Sequence, residues 1–160
     1  MEPLEAGPRF LCDAMLGSLA TWLRFFGYDT VYPKPGEPDE LLWERARDEG
    51  RWLLTADREL ASTGPRSMLV RSDGLEDQLT EVFSRLCLHP RPDLEHARCG
   101  ECNGRLDEVA RNEVAGVVPP HILATASRLT RCSGCGRVYW SGSHGRRIRE
   151  RMEQVVAKLK

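Results

Sequence analysis

Residues 10–32, FLCDAMLGSLATWLRFFGYDTVY, change their pattern of apolar residues twice within one segment. The run at 10–12 has the length of a buried strand. Apolar residues then recur at helical spacing over 16–26, and Gly27 provides a helix stop. Residues 29–32 predict a second short strand. A strand, a helix and a strand in this order are typical of an α/β fold with parallel strands.

The same alternation continues after the turn-rich loop PKPGEP at 33–38. The patterns predict strands at 52–55 and 68–70, and helical segments at 39–49, 57–61 and 74–87. Strands that alternate with helices pair in parallel through right-handed crossovers. We therefore predict a three-layer α/β domain with a parallel sheet.

The segment HPRPD at 89–93 marks a change in composition. Its two prolines interrupt the alternation, and glycine, cysteine and arginine become frequent after it. We predict a first domain at 1–90 and a second, smaller domain at 91–160. The second domain is expected to contain a strand at 138–140 and a basic terminal helix at 146–159.

Charge is distributed unevenly between the two halves. Residues 1–97 carry 11 Lys and Arg against 18 Asp and Glu, a net charge of −7, whereas residues 98–160 carry 12 against 6, a net charge of +6. This division is compatible with a polyanionic substrate that one part binds and the other processes through bound cations. Alternatively, the opposite charges help the two parts to dock.

The composition argues against a membrane protein. With 160 residues and 41% hydrophobic content, the chain resembles an ordinary globular protein. No stretch approaches the roughly 18 apolar residues of a membrane span, and the first residues lack the pattern of a secretory signal. We expect a cytoplasmic protein with no membrane partner.

Four of the six cysteines form two Cys-x-x-Cys pairs separated by 29 residues. Two-residue spacing lets paired thiolates bind one tetrahedral Zn²⁺ ion, and four sulfurs leave no open position for catalysis. We predict a zinc ribbon with one structural Zn²⁺ per chain; a redox pair or an iron–sulfur cluster is the alternative. The remaining Cys12 and Cys87 are expected to be buried free thiols. The predicted zinc ligands are Cys99, Cys102, Cys132 and Cys135.

Several aspartates stand where predicted strands end. Asp13 follows FLC, Asp57 follows WLLTA, and Asp73 follows MLVRS. The carboxyl ends of parallel strands meet at one edge of a sheet, so these side chains can converge, and Asp39 at the start of the second helix can join them. Each also has an alternative role as a helix cap: Asp39 and Asp57 stand at helix starts, and Asp73 precedes Glu76 at capping-box spacing.

Capping does not explain convergence of several carboxylates, because close unpaired carboxylates repel one another unless protons or cations neutralise them. Carboxylate oxygens suit Mg²⁺ and Mn²⁺, so we predict a site in which Asp13, Asp39 and Asp57 bind the metal and Asp73 assists catalysis. Such a site suits hydrolysis of phosphodiesters by an activated water. Thr55 could orient a carboxylate or the water; the alternative is a packing role.

A basic run with neighbouring aromatic residues lies near the C-terminus. Arginines bind phosphates, and aromatic rings stack on bases, so this run is a candidate RNA-binding surface. A solvated helix face explains the arginines nearly as well. The predicted RNA-binding residues are Trp140, Ser143, His144, Arg146 and Arg147.

Four motifs together resemble the Mut7-C family. They are DAMLGSLATWLRFFGYDT (13–30), DELLWERARDEGRWLLTADREL (39–60), the paired Cys-x-x-Cys knuckles and VYWSGSHGRR (138–147). The resemblance covers residues 9–150 and implies a PIN-fold RNase domain with a C-terminal zinc ribbon.

The resemblance also implies site residues. PIN nucleases bind Mg²⁺ or Mn²⁺ with a cluster of acidic residues, which match Asp13, Asp39 and Asp57 here. Glu40 is the alternative to Asp39 for the second acid. The fourth acid falls on Asp73 or Asp77.

We therefore predict a metal-dependent endoribonuclease, with an acidic Mg²⁺ or Mn²⁺ site and a zinc ribbon that helps to bind RNA. Transfer RNA and ribosomal RNA are candidate substrates, and a monomer is expected. One alternative is a non-catalytic RNA-binding or ribosome-associated protein. Another is a toxin-like nuclease that a partner protein keeps inactive.

Overall fold

The structure is a computed structural model that describes residues 7–160. Four parallel strands form the first sheet, in the order β2-β1-β3-β4. Within the described residues, no helix is both long and apolar enough to cross a membrane. The strands are β1 (Phe10–Cys12), β2 (Thr30–Val31), β3 (Trp52–Thr55) and β4 (Ser67–Leu69).

Helices cover both faces of this sheet, which confirms the three-layer prediction. The residues of β1 alternate between the layers: Phe10 and Cys12 pack with α1 and α4, whereas Leu11 packs with α2 and α3. All three are fully buried, because a parallel sheet has no solvent-exposed face. The helices are α1 (Gly17–Phe25), α2 (Asp39–Glu49), α3 (Arg58–Ala61) and α4 (Leu75–Arg85).

A second, antiparallel sheet carries the cysteine pairs and forms the ribbon. Its strands have the order β5-β6-β7, and a small apolar core around Val114 and Leu129 packs beside them. The strand predicted at 138–140 is present. The elements are β5 (Leu106–Glu108), α5 (Pro120–Thr125), β6 (Leu129–Cys132) and β7 (Val138–Trp140).

The terminal helix α6 (Ser143–Lys158) returns from the ribbon to the first domain. Its residues Ile148, Met152 and Val155 belong to the core formed by α1 and α4. The guanidinium of Arg151 lies 5.2 Å from the ring centroid of Trp22 in α1. The domain boundary at residue 90 stays a prediction. Helix α6, which that boundary assigns to the second domain, packs in the core of the α/β domain.

The first cysteine knuckle docks on the amino edge of the parallel sheet. The side chain of Asn103 accepts a hydrogen bond from the Thr30 amide at 2.9 Å and donates to Asp29 Oδ1 at 2.7 Å. The guanidinium of Arg24 donates to the carbonyl of Gly100 at 2.8 Å. These bonds attach the ribbon directly to the start of β2.

The prediction that both isolated cysteines are buried is wrong for one of them. Cys12 is buried in β1, but Cys87 is exposed. It follows the C-cap of α4 with a φ of 53°, where the Leu88 amide bonds to the Phe83 carbonyl and the Cys87 amide to Ser84. This is a Schellman motif, which ends the helix before Cys87 and turns that residue outward.

Candidate functional site

Asp13 occupies the carboxyl end of β1, beside β3. Its side chain is buried, with 3% of the residue exposed. Oδ1 accepts a hydrogen bond from the Met15 amide at 2.9 Å, and Oδ2 accepts from the Ala56 amide at 3.0 Å and from the Thr55 hydroxyl. Among the described residues, no Lys, Arg or His forms an ion pair with it.

The position of Asp13 is the topological switch point of the sheet. The chain leaves β1 through α1 on one face and leaves β3 through α3 on the other. The crevice between the carboxyl ends of two such strands is where open α/β sheets bind ligands. Asp13 therefore lies at the expected place for a functional site.

Thr55 connects Asp13 to Asp57. Its hydroxyl donates to Asp13 Oδ2 and accepts a hydrogen bond from the Asp57 amide at 2.9 Å. Thr55 is fully buried, and its bond to Asp13 depends on the pairing of β1 with β3, whereas the bond from the Asp57 amide is local. The orienting role considered for Thr55 is supported by this geometry.

Asp57 is exposed and caps the short helix α3. Its Oδ1 accepts hydrogen bonds from the amides of Glu59 at 2.8 Å and Leu60 at 3.1 Å. Its Oδ2 makes no hydrogen bond within residues 7–160. Asp57 can thus cap α3 with one oxygen and present the other at the sheet edge.

The structure does not support the capping alternative for Asp39 and Asp73. Pro38 is the N-cap of α2, and Gly74 is the N-cap of α4, in each case without a side-chain hydrogen bond. Glu76, the partner required for a capping box, instead pairs with Arg151 of α6 at 3.1 Å. Both aspartates are exposed at the carboxyl edge with no ion pair in the described part of the chain.

The alternative acids differ in their surroundings. Asp77 forms an ion pair with Lys158 at 3.4 Å, whereas Glu40 is exposed beside Asp39. Within residues 7–160, no three carboxylates bring oxygen atoms within 4.8 Å of one another. We call the carboxyl edge that carries Asp13, Asp39, Asp57 and Asp73 the acidic edge.

The four cysteines do converge. Their sulfur atoms all lie within 4.8 Å of one another, with Cys99 and Cys135 3.7 Å apart and Cys102 and Cys132 3.3 Å apart. Zn–S bonds of about 2.3 Å in a tetrahedron place sulfur atoms roughly 3.8 Å apart. The cluster could therefore hold a metal ion such as zinc.

Burial and hydrogen bonding shift the thiol pKa values of this cluster in opposite directions. Burial and the hydrogen bond with the Cys132 thiol raise the pKa of Cys102. Burial raises the pKa of Cys132, but hydrogen bonds from the Cys135 and Gly134 amides and from neighbouring thiols outweigh it and lower the pKa to about 7. A Cβ atom at Gly104 would lie 2.5 Å from the Cys132 sulfur, so only glycine fits there. The Tyr139 hydroxyl lies 3.1 Å from the Cys99 sulfur.

Asn103 and Asp29 contribute to the structure in a way that the sequence patterns did not reveal. Asn103 adopts a φ of 69°, a left-handed conformation that asparagine tolerates better than most residues. An asparagine directly after a Cys-x-x-Cys knuckle is the only local signal of this turn. The pairing of Asn103 with Asp29 joins residues 74 positions apart and has no such signal.

A groove of about 680 Å³ lies between the ribbon and the start of α6. Three of the five predicted RNA-binding residues line it, namely Trp140, His144 and Arg146, whereas Ser143 and Arg147 do not. Arg128 and Arg149 also line it, and Asp93 and Glu95 contribute two acidic groups. We call this site the basic groove.

The basic groove and the acidic edge lie at opposite ends of the first domain. Helix α1 begins after Asp13 at the carboxyl edge, and Phe25 at its other end lines the groove. The knuckle beside the groove is docked on the amino edge through Asn103. The two candidate sites are therefore separated by at least the length of α1, about 13 Å for nine residues.

Comparison with curated proteins and with solved structures found no match. A family model described as the Mut7-C RNAse domain matches residues 8–152. The match includes the acidic edge, the four cysteines and the first half of α6, and it indicates a nuclease-type function. The chain therefore belongs to the Mut7-C RNAse domain family.

Proposed function

We propose that the chain is a metal-dependent endoribonuclease whose active site is the acidic edge. The observation that carries the proposal is Asp13, a buried carboxylate at the switch point with three hydrogen-bond donors and no cationic partner among the described residues. An unpaired buried charge is unfavourable, and a bound cation relieves it. The nuclease-type function of the family supplies the reaction class.

The donor set fits Mg²⁺ or Mn²⁺, because it consists of hard carboxylate oxygens. Asp13, Asp39 and Asp57 would hold the metal, with Asp73 assisting. When bound, the metal lowers the pKa of the attacking water and stabilises the leaving oxygen. Thr55 and the amides of Met15 and Ala56 keep the Asp13 carboxylate in one orientation. Asp39 and Asp73 are exposed, and their side chains can rotate toward the edge.

The decisive experiment compares cleavage of structured and single-stranded RNAs with added Mn²⁺, with added Mg²⁺ and without added divalent ions. We expect metal-dependent internal cleavage by the wild type and a loss of at least about 100-fold in Asp13→Asn, since the residue is proposed to bind the metal directly. Asp39 is exposed, and its side chain forms no hydrogen bond or ion pair with the residues that the structure describes. A loss of cleavage in Asp39→Asn therefore reports catalysis and not folding.

Asp48→Asn is the matched control. Asp48 is an exposed aspartate at the opposite end of α2, and in the part of the chain that the structure describes it pairs with its neighbour Arg47 alone. Cleavage that survives in Asp13→Asn and Asp39→Asn at the rate of Asp48→Asn would exclude the acidic edge as the active site. Thermal unfolding of each variant checks that the fold is retained.

A non-catalytic RNA-binding protein is the second candidate function. It is favoured by one observation: within residues 7–160, the carboxylates of the acidic edge are not gathered within 4.8 Å. It predicts RNA binding by the wild type with no cleavage under any metal condition. The metal series described above distinguishes this function from the nuclease.

We further propose that the basic groove binds RNA. Trp140 is 38% exposed at its wall and can stack on a base, while Arg146 and Arg149 can contact phosphates. Arg146→Ala should weaken RNA binding about tenfold and lower the slope of log K against log salt by about one. Arg105→Ala, an exposed ribbon arginine outside the groove, is the control. Equal affinities of these two variants would contradict the assignment.

A further inference from the structure

Helix α6 connects the basic groove to the acidic edge. Its first residues, including His144 and Arg146, line the groove. Near its last turn, Lys158 pairs with Glu76 at 3.5 Å and Asp77 at 3.4 Å, in the first turn of α4. Because α4 follows β4, its first turn lies at the carboxyl edge of the sheet. The helix therefore runs from one candidate site toward the other.

One face of α6 carries a row of basic side chains along this path. Arg147, Arg151 and Lys158 recur at intervals of four and seven residues, which places them on one side of a helix. Arg147 is exposed and forms no ion pair within residues 7–160, and the side chains of Arg151 and Lys158 are each 46% exposed although they pair with Glu76. We call these three residues the helix stripe.

The helix stripe accounts for Arg147, which belongs to the basic run but does not line the groove. If the arginines only kept this helix face solvated, there would be no reason for them to lie in a row between the two candidate sites. A polyanion that extends from the groove to the acidic edge would first meet the unpaired Arg147. Its phosphates would then compete with Glu76 and Asp77 for Arg151 and Lys158. Charge complementarity thus selects a nucleic-acid strand as the occupant of this face.

We propose that a single RNA strand lies along the helix stripe, anchored in the basic groove, and that the enzyme consequently acts on strands above a minimum length. Sixteen residues of α6 span about 24 Å, which corresponds to about seven nucleotides at the roughly 3.4 Å spacing of a stacked strand. The inference rests on the proposed nuclease and adds a length requirement to its substrate.

The test measures RNA affinity and cleavage for single-stranded oligonucleotides of 4, 6, 8, 12 and 16 nucleotides. Binding is measured by fluorescence anisotropy without added divalent ions, and cleavage with added Mn²⁺. We expect the affinity and the cleavage rate to increase sharply between about 6 and 12 nucleotides. The increase should exceed the gradual one that arises because a longer strand offers more positions at which the protein can bind.

Charge reversal of Arg147 isolates the helix stripe. Because Arg147 is exposed and unpaired among the described residues, Arg147→Glu leaves the core of α6 unchanged. It should lower the affinity for the 12-nucleotide RNA about tenfold, through the loss of a phosphate contact. Arg105→Glu, with the same charge change in the ribbon, should behave as the wild type.

The outcomes separate this inference from the proposed function. Cleavage without a length threshold, or with equal effects of Arg147→Glu and Arg105→Glu on long RNA, would overturn the helix stripe and retain the nuclease. A length threshold in binding with no cleavage of any RNA would support the stripe and reject the nuclease. Affinity that is independent of length would overturn the stripe in either case.

Discussion

At the scale of single residues, the central feature of the acidic edge is that the Asp13 carboxylate has no cationic partner among the described residues. Among residues 7–160, the Asp13 side chain accepts hydrogen bonds from two amides and the Thr55 hydroxyl, all of which are neutral donors. Neutral donors orient a carboxylate without removing its charge, whereas an arginine or lysine partner would satisfy that charge permanently. The arrangement keeps Asp13 fixed and available for a cation.

Thr55→Val tests this orienting role. Valine has the shape of threonine but cannot donate to Asp13 or accept from the Asp57 amide. We expect a loss of about 1–3 kcal/mol in the free energy of unfolding, because buried polar groups lose their partners. We also expect kcat to fall, while RNA affinity in the basic groove is unchanged.

The conservative variant Thr55→Ser retains the hydroxyl and should restore most of kcat. Urea unfolding and Mn²⁺-dependent cleavage provide the two measurements. A Thr55→Val protein with the kcat of the wild type would show that Thr55 only packs in the core.

Asp29 provides a prediction for the pH dependence of stability. Burial raises its pKa, but hydrogen bonds from Arg51 and Asn103 outweigh this effect and lower the pKa to about 2. A carboxylate with a lowered pKa contributes stability above its unfolded pKa of about 4, and this contribution is lost only as the pH falls from about 4 toward 2.

Asp29→Asn should therefore cost about 2 kcal/mol of unfolding free energy, and the cost should be the same at pH 8 and at pH 5. Urea unfolding of the wild type and the variant at both pH values gives the two differences. A cost that shrinks between pH 8 and pH 5 would contradict an ionised, salt-bridged Asp29 with a lowered pKa.

At the scale of elements, the first cysteine knuckle is attached to the parallel sheet and is not an independent appendage. The turn after Cys102 presents Asn103 to the start of β2, and Arg24, itself buried in α1, bonds to the Gly100 carbonyl. The cysteine pairs thus shape a loop that supplies partners to buried groups of the other domain. If the four cysteines hold a metal ion, its removal is expected to lower the stability of the α/β domain as well as that of the ribbon.

Asn103→Ala tests this connection. The change removes the partner of the Thr30 amide and one of the donors to Asp29, so we expect a loss of about 1–3 kcal/mol in unfolding free energy. Asn112→Ala, at an exposed position in the ribbon, should stay within about 0.5 kcal/mol of the wild type. If the two variants were equally stable, the docking bonds would contribute nothing measurable.

At the scale of the whole molecule, α6 integrates the two parts. It begins beside the ribbon, and its apolar side enters the core of the α/β domain, where Met152 is fully buried. Its polar side carries the helix stripe. One element thus stabilises the first domain and connects the basic groove with the acidic edge.

Met152→Ala measures this integration. Removal of a fully buried methionine should cost about 2–5 kcal/mol of unfolding free energy, since it leaves a cavity among α1, α4 and α6. Met15→Ala is the control, because Met15 is 74% exposed and its truncation leaves no cavity. Chemical unfolding of the purified variants makes the comparison. Similar stability of the two variants would imply that α6 is not part of the core.

Local patterns predicted most of the elements of this protein. The predicted segments around β1, α2 and β3 match the observed ones closely, since periodicity and glycine stops act over a few residues. Other observed boundaries differ from the predicted ones. Helix α6 begins at Ser143 and not at residue 146, and α4 ends at Arg85, before the Schellman turn, and not at residue 87. The spacing of the cysteines likewise predicted a four-sulfur cluster, because a knuckle is a local structure.

The arrangement of the sites depends on contacts that no local pattern encodes. Thr55 bonds to Asp13 across 42 positions, and Asn103 bonds to Asp29 across 74, because strand order and docking bring these residues together. Strand ends indicated which aspartates share an edge, but the side chains remain too far apart for a closed cluster. The basic residues near the C-terminus were evident from composition, whereas their division into a groove and a helix stripe follows from the packing of α6 on α1 and α4.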